Sequence, residues 1–393
     1  MKKYLLYLFA LLPLSASAQL TAGYYRVSNV MTGRYLSIVD TEAEFKIGAT
    51  YANNVYADLR AIYMEVDYDK IICNPASICY IDPVNSNSLN LKGQGLDLYG
   101  KAHRYLNYIQ RPDGTFWLYA TGSAAGITAT KYLIDNTSHG TYFHPSIGDE
   151  NTTSTNRNWN ILQITQGDAQ CFGIKPDLQT TDGSYWATLY AGFPCKPSAT
   201  TTKAYYISKV DNAFGVAVIA ALPNDGVIAP QVPALIQCTG ATPKENKMTL
   251  LDPNTTGVPQ NSQLWGNYYC NDQENSSDDV EKKHHNVTAY DAATMRMLGQ
   301  TTDGKLAFVK SNIKYLPANK AYLKVSGTAP DGTAPDVFRV VTEEEYQEIV
   351  TGINEIASPV NNGQKVIYDL QGRRITAPSK GLYIVNGKKM VIK

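Results

Sequence analysis

The sequence has no excess of charge of either sign. Thirty-five basic side chains are balanced by thirty-five acidic ones, and charged residues make up only 18% of the 393-residue chain. Without a basic field nothing is available to neutralise a phosphate backbone, so nucleic acid is not expected as a partner. Long apolar runs are missing after the first 18 residues. No later stretch approaches the roughly 20 apolar residues that a membrane-spanning helix needs, so no transmembrane segment is expected in the mature chain. Histidine is scarce, at five residues. There is no C-x-x-C pair, no H-E-x-x-H helix, no G-x-S-x-G elbow and no phosphate-binding glycine loop, so the usual signatures of zinc, hydrolase and nucleotide sites are absent and no cofactor is expected. Helical periodicity over ten or more residues is also hard to find.

The N-terminus carries a clear signal. Lys2 and Lys3 precede an apolar run from Tyr4 to Leu14, and Ser15-Ala16-Ser17-Ala18 supplies the small residues of a signal-peptidase site. Residues 1–18 are therefore expected to be a signal peptide cut after Ala18. No Cys follows the apolar run, which argues against a lipid anchor. The remaining chain is too long for one ordinary core, so two or three domains are expected. Tyr is enriched, at 28 residues against 9 Phe and 4 Trp. Tyrosine-rich, charge-poor sequence suits half-buried strands and surfaces that stack on sugars.

Asp-Gly steps recur at Asp113-Gly114, Asp182-Gly183, Asp225-Gly226, Asp303-Gly304 and Asp331-Gly332. They provide the left-handed backbone that tight turns need. Between them lie β-branched and aromatic runs such as Tyr205-Tyr206-Ile207, Val216-Ala217-Val218-Ile219 and Leu306-Ala307-Phe308-Val309. The expected fold class is all-β and multidomain. Six cysteines lie in an expected oxidising compartment. Cys73 and Cys79 are the disulfide pair expected from proximity; Cys171, Cys195, Cys238 and Cys270 leave three pairings open, and buried thiols are the alternative.

Four sections follow the signal peptide. Residues 19–167 open with Tyr24-Tyr25-Arg26-Val27-Ser28-Asn29 and Thr32-Gly33-Arg34-Tyr35-Leu36, echoed by Arg104-Tyr105-Leu106 and closed by Asn158-Trp159-Asn160-Ile161-Leu162. This section resembles a ricin-type β-trefoil, which implies a barrel built of three repeats and a carbohydrate-binding (lectin) role. Residues 170–341 contain Tyr185-Trp186-Ala187-Thr188-Leu189-Tyr190 and Pro317-Ala318-Asn319-Lys320-Ala321-Tyr322-Leu323; this pairing resembles a jelly-roll-like β-sandwich module of secreted bacterial proteins. The polar stretch from Asn271 to His285 within it reads as a long loop. Residues 342–356 read as a linker helix, with Thr342 and Glu345 spaced as a capping box. Residues 357–393 contain Tyr368-Asp369-Leu370-Gln371-Gly372-Arg373-Arg374 and Gly381-Leu382-Tyr383-Ile384-Val385-Asn386-Gly387-Lys388-Lys389. They read as two hairpins and resemble the C-terminal sorting domain of the type IX secretion system, which implies an export machinery as partner.

Candidate chemistry is sparse. Asp135, His139 and His144 are weighed as a metal set, and Glu65, Asp67 and Asp69 alternate as if on one strand face, the solvent face being the bland reading. A cysteine nucleophile has no local signature. No catalytic residue or metal ligand is assigned. The trefoil resemblance places a sugar pocket near Asp40, Tyr51 and Asn54. The chain departs from the ricin-type pattern at the sugar-binding Asp, carrying Ser37 in the first unit and Asn107 in the second, and the first unit closes with Ile62-Tyr63 in place of Gln-x-Trp. The expected function is that of a secreted or surface-located binding protein, carbohydrate-binding or adhesive, that meets a glycan or a surface protein outside the cell or in the periplasm. A secreted hydrolase using carboxylates drawn from distant strands is the alternative.

Overall fold

The computed structural model describes residues 20–38, 46–49, 55–58, 62–65, 68–85, 88–92, 105–124, 127–135, 146–148, 155–257, 261–268, 288–326, 334–351, 367–369, 373–376, 378–385 and 388–392. The signal-peptide segment, the 271–285 stretch and the Asp331-Gly332 step lie outside them. The chain forms two compact units. One comprises Met1–Phe172 with Asn271–Asn286, the other Gly173–Cys270 with Val287–Lys393. Both are predominantly β. Among the described residues no helix is long and apolar enough to cross a membrane.

The strands of the first unit are β1 (Gly23–Asn29), β2 (Tyr35–Ile38), β3 (Lys46–Ala49), β4 (Val55–Asp58), β5 (Ile62–Glu65), β6 (Cys79–Asn85), β7 (Ser88–Lys92), β8 (Tyr105–Gln110), β9 (Phe116–Ala124), β10 (Ile127–Ile134), β11 (Ser146–Gly148) and β12 (Trp159–Gln163). The pairings return on themselves. β1 pairs β6, β6 pairs β7, β7 pairs β8, β8 pairs β9, β9 meets β12 at Phe116 and Trp159, and β12 pairs β1 along its whole length. The hairpins β2–β5 and β10–β11 lie off this ring. The side-chain period of two sends Tyr25 and Val27 of β1, Cys79 and Ile81 of β6, Phe116 and Leu118 of β9 and Trp159 of β12 into one core. The indole N–H of the fully buried Trp159 donates to Leu133 O at 2.9 Å. Residues 71–77 cover the other face of β1, where Arg26 is buried and its Nε donates to Ser77 Oγ at 3.1 Å.

That covering segment explains two corrections. The strand at Ile62 ends at Glu65, and Tyr68–Ile71 turns as one helical turn, α1, so Glu65 and Asp69 do not share a strand face. A 3-10 turn, Pro75–Ser77, capped by Asn74 Oδ1 accepting from Ala76 N, then intervenes before β6. Cys79 begins a core strand opposite Tyr25, while Cys73 Sγ donates to Lys70 O at 3.4 Å. The expected Cys73–Cys79 disulfide is not formed, because the turn separates the two side chains into different environments. Cys171, Cys195 and Cys238 carry no disulfide either.

β13 (Phe172–Gly173) lies at the boundary of the units. The second unit contains β14 (Leu178–Gln179), β15 (Tyr185–Leu189), β16 (Cys195–Pro197), β17 (Lys203–Asp211), β18 (Val216–Ala221), β19 (Ala234–Cys238), β20 (Lys247–Leu250), β21 (Leu264–Asn267), β22 (Met295–Gln300), β23 (Leu306–Val309), β24 (Lys320–Lys324) and β25 (Val337–Val341). Ten of these strands form one sheet in the order β14-β15-β19-β17-β18-β25-β23-β22-β24-β21. Trp186 and Leu235, near one end of that order, share a core with Leu264 and Leu323 from the other end, so the sheet curls over its own apolar face. The Tyr190 and Asn319 segments meet without strand pairing. Tyr190 N donates to Asn319 O at 2.9 Å and Asn319 Nδ2 donates to Tyr190 O at 3.1 Å, with Asn319 in left-handed backbone at φ 60°.

The turn and cap expectations hold where they are described. Gly114, Gly183, Gly226 and Gly304 all have positive φ, at 83°, 88°, 77° and 77°. Thr342 N donates to Glu345 Oε2 and Glu345 N to Thr342 Oγ1, closing the capping box of α2 (Glu343–Thr351). Tyr346 and Ile349 of this helix pack on Val216, Val218 and Val341. Tyr346 Oη donates to Asp211 Oδ2 at 2.8 Å and accepts from Lys209 Nζ. Tyr346→Phe is expected to cost about 1 kcal/mol, the net worth of a hydrogen bond to a charged group near the surface, as read by urea denaturation. The tail forms a four-stranded sheet of β26 (Ile367–Tyr368), β27 (Arg374–Ile375), β28 (Gly381–Val385) and β29 (Lys388–Ile392), with the two expected hairpin pairings.

The turn aspartates also make a pH prediction. Asp113, Asp182, Asp291 and Asp303 are held below their usual value of 3.8, first by the hydroxyl of a threonine two or three residues away. A folded value lowered below the unfolded one contributes stability that is present above the unfolded value and is lost as pH falls through the folded one. Acid destabilisation from these turns is therefore expected only below about pH 4. Carboxyl NMR titration of Thr115→Val should show Asp113 rising towards its ordinary value, and an unmoved Asp113 would refute the assignment.

Candidate functional site

The loop between β1 and β2 is built by one asparagine. Asn29 Oδ1 accepts from Met31 N at 3.0 Å and Thr32 N at 3.2 Å, its own carbonyl takes Gly33 N at 2.9 Å, and Gly33 sits at φ 70°. Asn29 Nδ2 reaches across to Asn156 O at 2.6 Å. Beneath the loop lies a buried ion pair. Arg34 is 4% exposed and Asp135 0%, with Arg34 Nε donating to Asp135 Oδ2 at 2.8 Å and Nη2 to Oδ1. Thr32 Oγ1 donates to the same carboxylate, and Asn156 Nδ2 donates to Asp135 O at 3.2 Å. Burial pulls the Arg34 guanidinium below its ordinary value. These contacts tie the start of β2, the end of β10 and the approach to β12 into one rigid rim. Asp135, weighed as a metal ligand, is an ion-pair partner; its companions His139 and His144 lie outside the described residues. Among the described residues no group of three His, Cys, Asp or Glu side chains could hold a metal.

The alternation that buries Phe116 and Leu118 in the core puts Trp117 and Tyr119 on the opposite face of β9. Ile109 of β8 lies opposite Trp117 in register and is 37% exposed. Trp117 Nε1 donates to Asn158 Oδ1 at 2.6 Å, fixing the indole. Two arginines converge on it: Arg111 Cζ lies 3.9 Å and Arg157 Cζ 3.7 Å from the ring centroid. Tyr132 meets the same indole edge-on at 5.8 Å and packs with Tyr119 at 5.5 Å. Asn158 also links the patch to the β1–β2 loop, since its carbonyl accepts from Val30 N at 2.8 Å. Val30 and Met31 there are 44% and 50% exposed. The result is an immobilised indole covered by two guanidiniums, with the exposed Ile109 beside it.

The sugar-pocket residues expected from the sequence, Asp40, Tyr51 and Asn54, lie outside the described residues, as does Asp67. The two positions that depart from the ricin-type aspartate are engaged internally. Ser37 is buried and accepts from Asn74 Nδ2 at 3.2 Å, and Asn107 Oδ1 accepts from Ser88 Oγ at 2.8 Å. The described cysteines of the second unit are poor nucleophiles. Burial pushes the Cys195 thiol up to about 12, and burial, with the nearby Asp177 carboxylate, pushes Cys238 up to about 12. Both are expected to resist iodoacetamide at pH 8 until the unit is unfolded, as mass spectrometry of labelled peptides would read; rapid labelling of the native protein would contradict this.

Neither Trp117 nor its partners stood out in the sequence. Arg157 lies 40 residues away in sequence from Trp117, in the turn before β12, and no local motif announces that meeting.

No family model matches the chain, and no curated protein does. Among solved structures, one match is to a mosquitocidal holotoxin, described as its structure and mode of action. The alignment has 10% sequence identity and a TM-score of 0.23, and covers 93% of this chain and 56% of that chain. This chain thus spans little more than half of the toxin's length, and so loose a superposition carries no argument about fold or activity.

Proposed function

We propose that this is an exported carbohydrate-binding protein whose first unit is a β-trefoil and which grips its ligand on the outer wall of the barrel, at Trp117. The observation that carries the reading is the exposed apolar cluster around a locked indole: Ile109, Val30 and Met31 near a Trp117 that Asn158 holds and two guanidiniums cover. Sugars present C–H faces to apolar side chains such as these and hydroxyls to the polar groups around them. The trefoil reading is supported by the ring of six paired strands with hairpins lying off it. In the same reading the second unit is a β-sandwich spacer, residues 1–18 direct export, and the four-stranded tail addresses the protein to the cell surface.

A glycan array probed with the chain from Gln19 to Lys393 tests it. Binding to a defined subset of glycans is expected, with a loss of at least tenfold in Trp117→Ala. Tyr51→Ala, run alongside, separates the wall from the pocket expected in the sequence. An array blank across all glycans would sink the carbohydrate reading; binding lost in Tyr51→Ala and kept in Trp117→Ala would move the site.

A further inference from the structure

We infer that the apolar cluster beside Trp117 selects saccharides that carry a methyl group over their fully hydroxylated counterparts. The methyl can sit on a 6-deoxy ring carbon or in an N-acetyl group; the inference rests on the carbohydrate reading above. Among the described residues of the first unit, the large apolar side chains that stay exposed are Val30, Met31 and Ile109. All three gather at one indole. Ile109 stands opposite Trp117 across β8 and β9, Trp117 Nε1 donates to Asn158 Oδ1 at 2.6 Å, and Asn158 O accepts from Val30 N at 2.8 Å, with Met31 next in the chain.

The kind of side chain decides what such a surface can distinguish. An open aromatic face stacks on the C–H side of almost any pyranose. Here Arg111 and Arg157 lie 3.9 and 3.7 Å from the indole centroid and take up the ring, so that unselective contact is closed. What meets solvent is two branched aliphatic groups and a thioether. A hydroxyl pressed against them loses its water and gains almost nothing in return, whereas a methyl gains from being covered. One buried methyl is worth about three- to fivefold in affinity.

The loop that carries two of these side chains is held in shape. Asn29 Oδ1 fixes the backbone N–H groups of Met31 and Thr32, and Gly33 turns the chain at φ 70°. Thr32 and Arg34 then fasten the loop's far side to the buried Asp135. The apolar surface is formed before a ligand arrives, and little ordering entropy offsets the gain from a methyl.

The test is NMR titration of the chain from Gln19 to Lys393, 13C-labelled at its Met and Ile methyls, with three matched pairs of sugars. These are L-fucose against L-galactose, L-rhamnose against L-mannose, and N-acetylglucosamine against glucose. In at least one pair the methyl-bearing sugar is expected to bind about three- to fivefold tighter and to shift the Met31 and Ile109 methyl signals. The 6-deoxy and N-acetyl arms separate the two sources of the methyl. Met31→Gln and Ile109→Thr should each bring the ratio within that pair towards one. Phe214→Gln, at an exposed aromatic of the second unit, should leave the ratio unchanged. Equal binding within every pair, or a preference that survives both Met31→Gln and Ile109→Thr with unchanged thermal melting, overturns the inference and leaves the carbohydrate reading standing. So does a glycan-array subset without methyl-bearing sugars, or failure of all six sugars beside a positive array. Failure of all six with the array also blank overturns both.

Discussion

Asp135→Asn is expected to destabilise the first unit by about 3–5 kcal/mol in urea denaturation, the cost of removing one partner from a buried ion pair. The side chain keeps its size, so the effect is electrostatic. Arg34, 4% exposed, would retain a charge with no carboxylate opposite its Nε and Nη2. Thr32 Oγ1, which donates to the same carboxylate, would have to share an amide oxygen. The double variant Arg34→Met with Asp135→Leu is the informative control. Apolar side chains of similar volume can replace a buried pair at little cost, so the double variant should be more stable than Asp135→Asn alone. A single-variant loss under about 1 kcal/mol would show that the pair is hydrated and that the rim is held by Asn29 instead.

The second large effect is expected at Asn246. This side chain is fully buried and has five backbone hydrogen-bond contacts, three of them sharing the two N–H groups of its amide. Its Oδ1 accepts from Thr239 N at 2.7 Å and Gly240 N at 3.0 Å, and its Nδ2 donates to the carbonyls of Ile174, Gly240 and Thr242 at 3.0, 2.9 and 2.9 Å. It therefore pins the loop after β19 to the residue that follows β13. Asn246→Ala leaves the buried Gly240 N–H, the partly buried Thr239 N–H and as many as three carbonyls without this partner, at about 1–3 kcal/mol for each group that water cannot reach. A total near 4 kcal/mol is expected by chemical denaturation. Asn246→Asp should be at least as damaging despite its near-identical shape, because it points a carboxylate at three carbonyl oxygens. An Asp variant as stable as the parent would mean that the amide nitrogen contributes nothing, contrary to its three acceptors.

How much of this was readable beforehand divides cleanly by distance along the chain. The Asp-Gly turns, the Thr342–Glu345 capping box and the tail hairpins all rest on interactions within a few residues, and each has its expected geometry where described. The alternation of apolar residues that fills the first core was readable in the same way. Residues 66–79 misled because strand-like alternation continued where the chain turns into α1 and then a capped 3-10 turn. That choice is made by the need to cover Arg26 and the outer face of β1, not by local preference. The same packing sends Cys79 inward and leaves Cys73 behind. The wall cluster was not foreseen, since Arg111 and Arg157 reach Trp117 only once β8, β9 and β12 have paired.

By itself, then, the amino-acid order determined the class of fold, the positions of the tight turns and which strand faces are apolar, since each depends on backbone sterics and on side chains one to four residues apart. Only the tertiary structure decided that Arg34 meets Asp135, 101 residues away, and that two guanidiniums share one indole. Such meetings depend on which strands close the ring, a property of the whole sheet that no short stretch of sequence encodes.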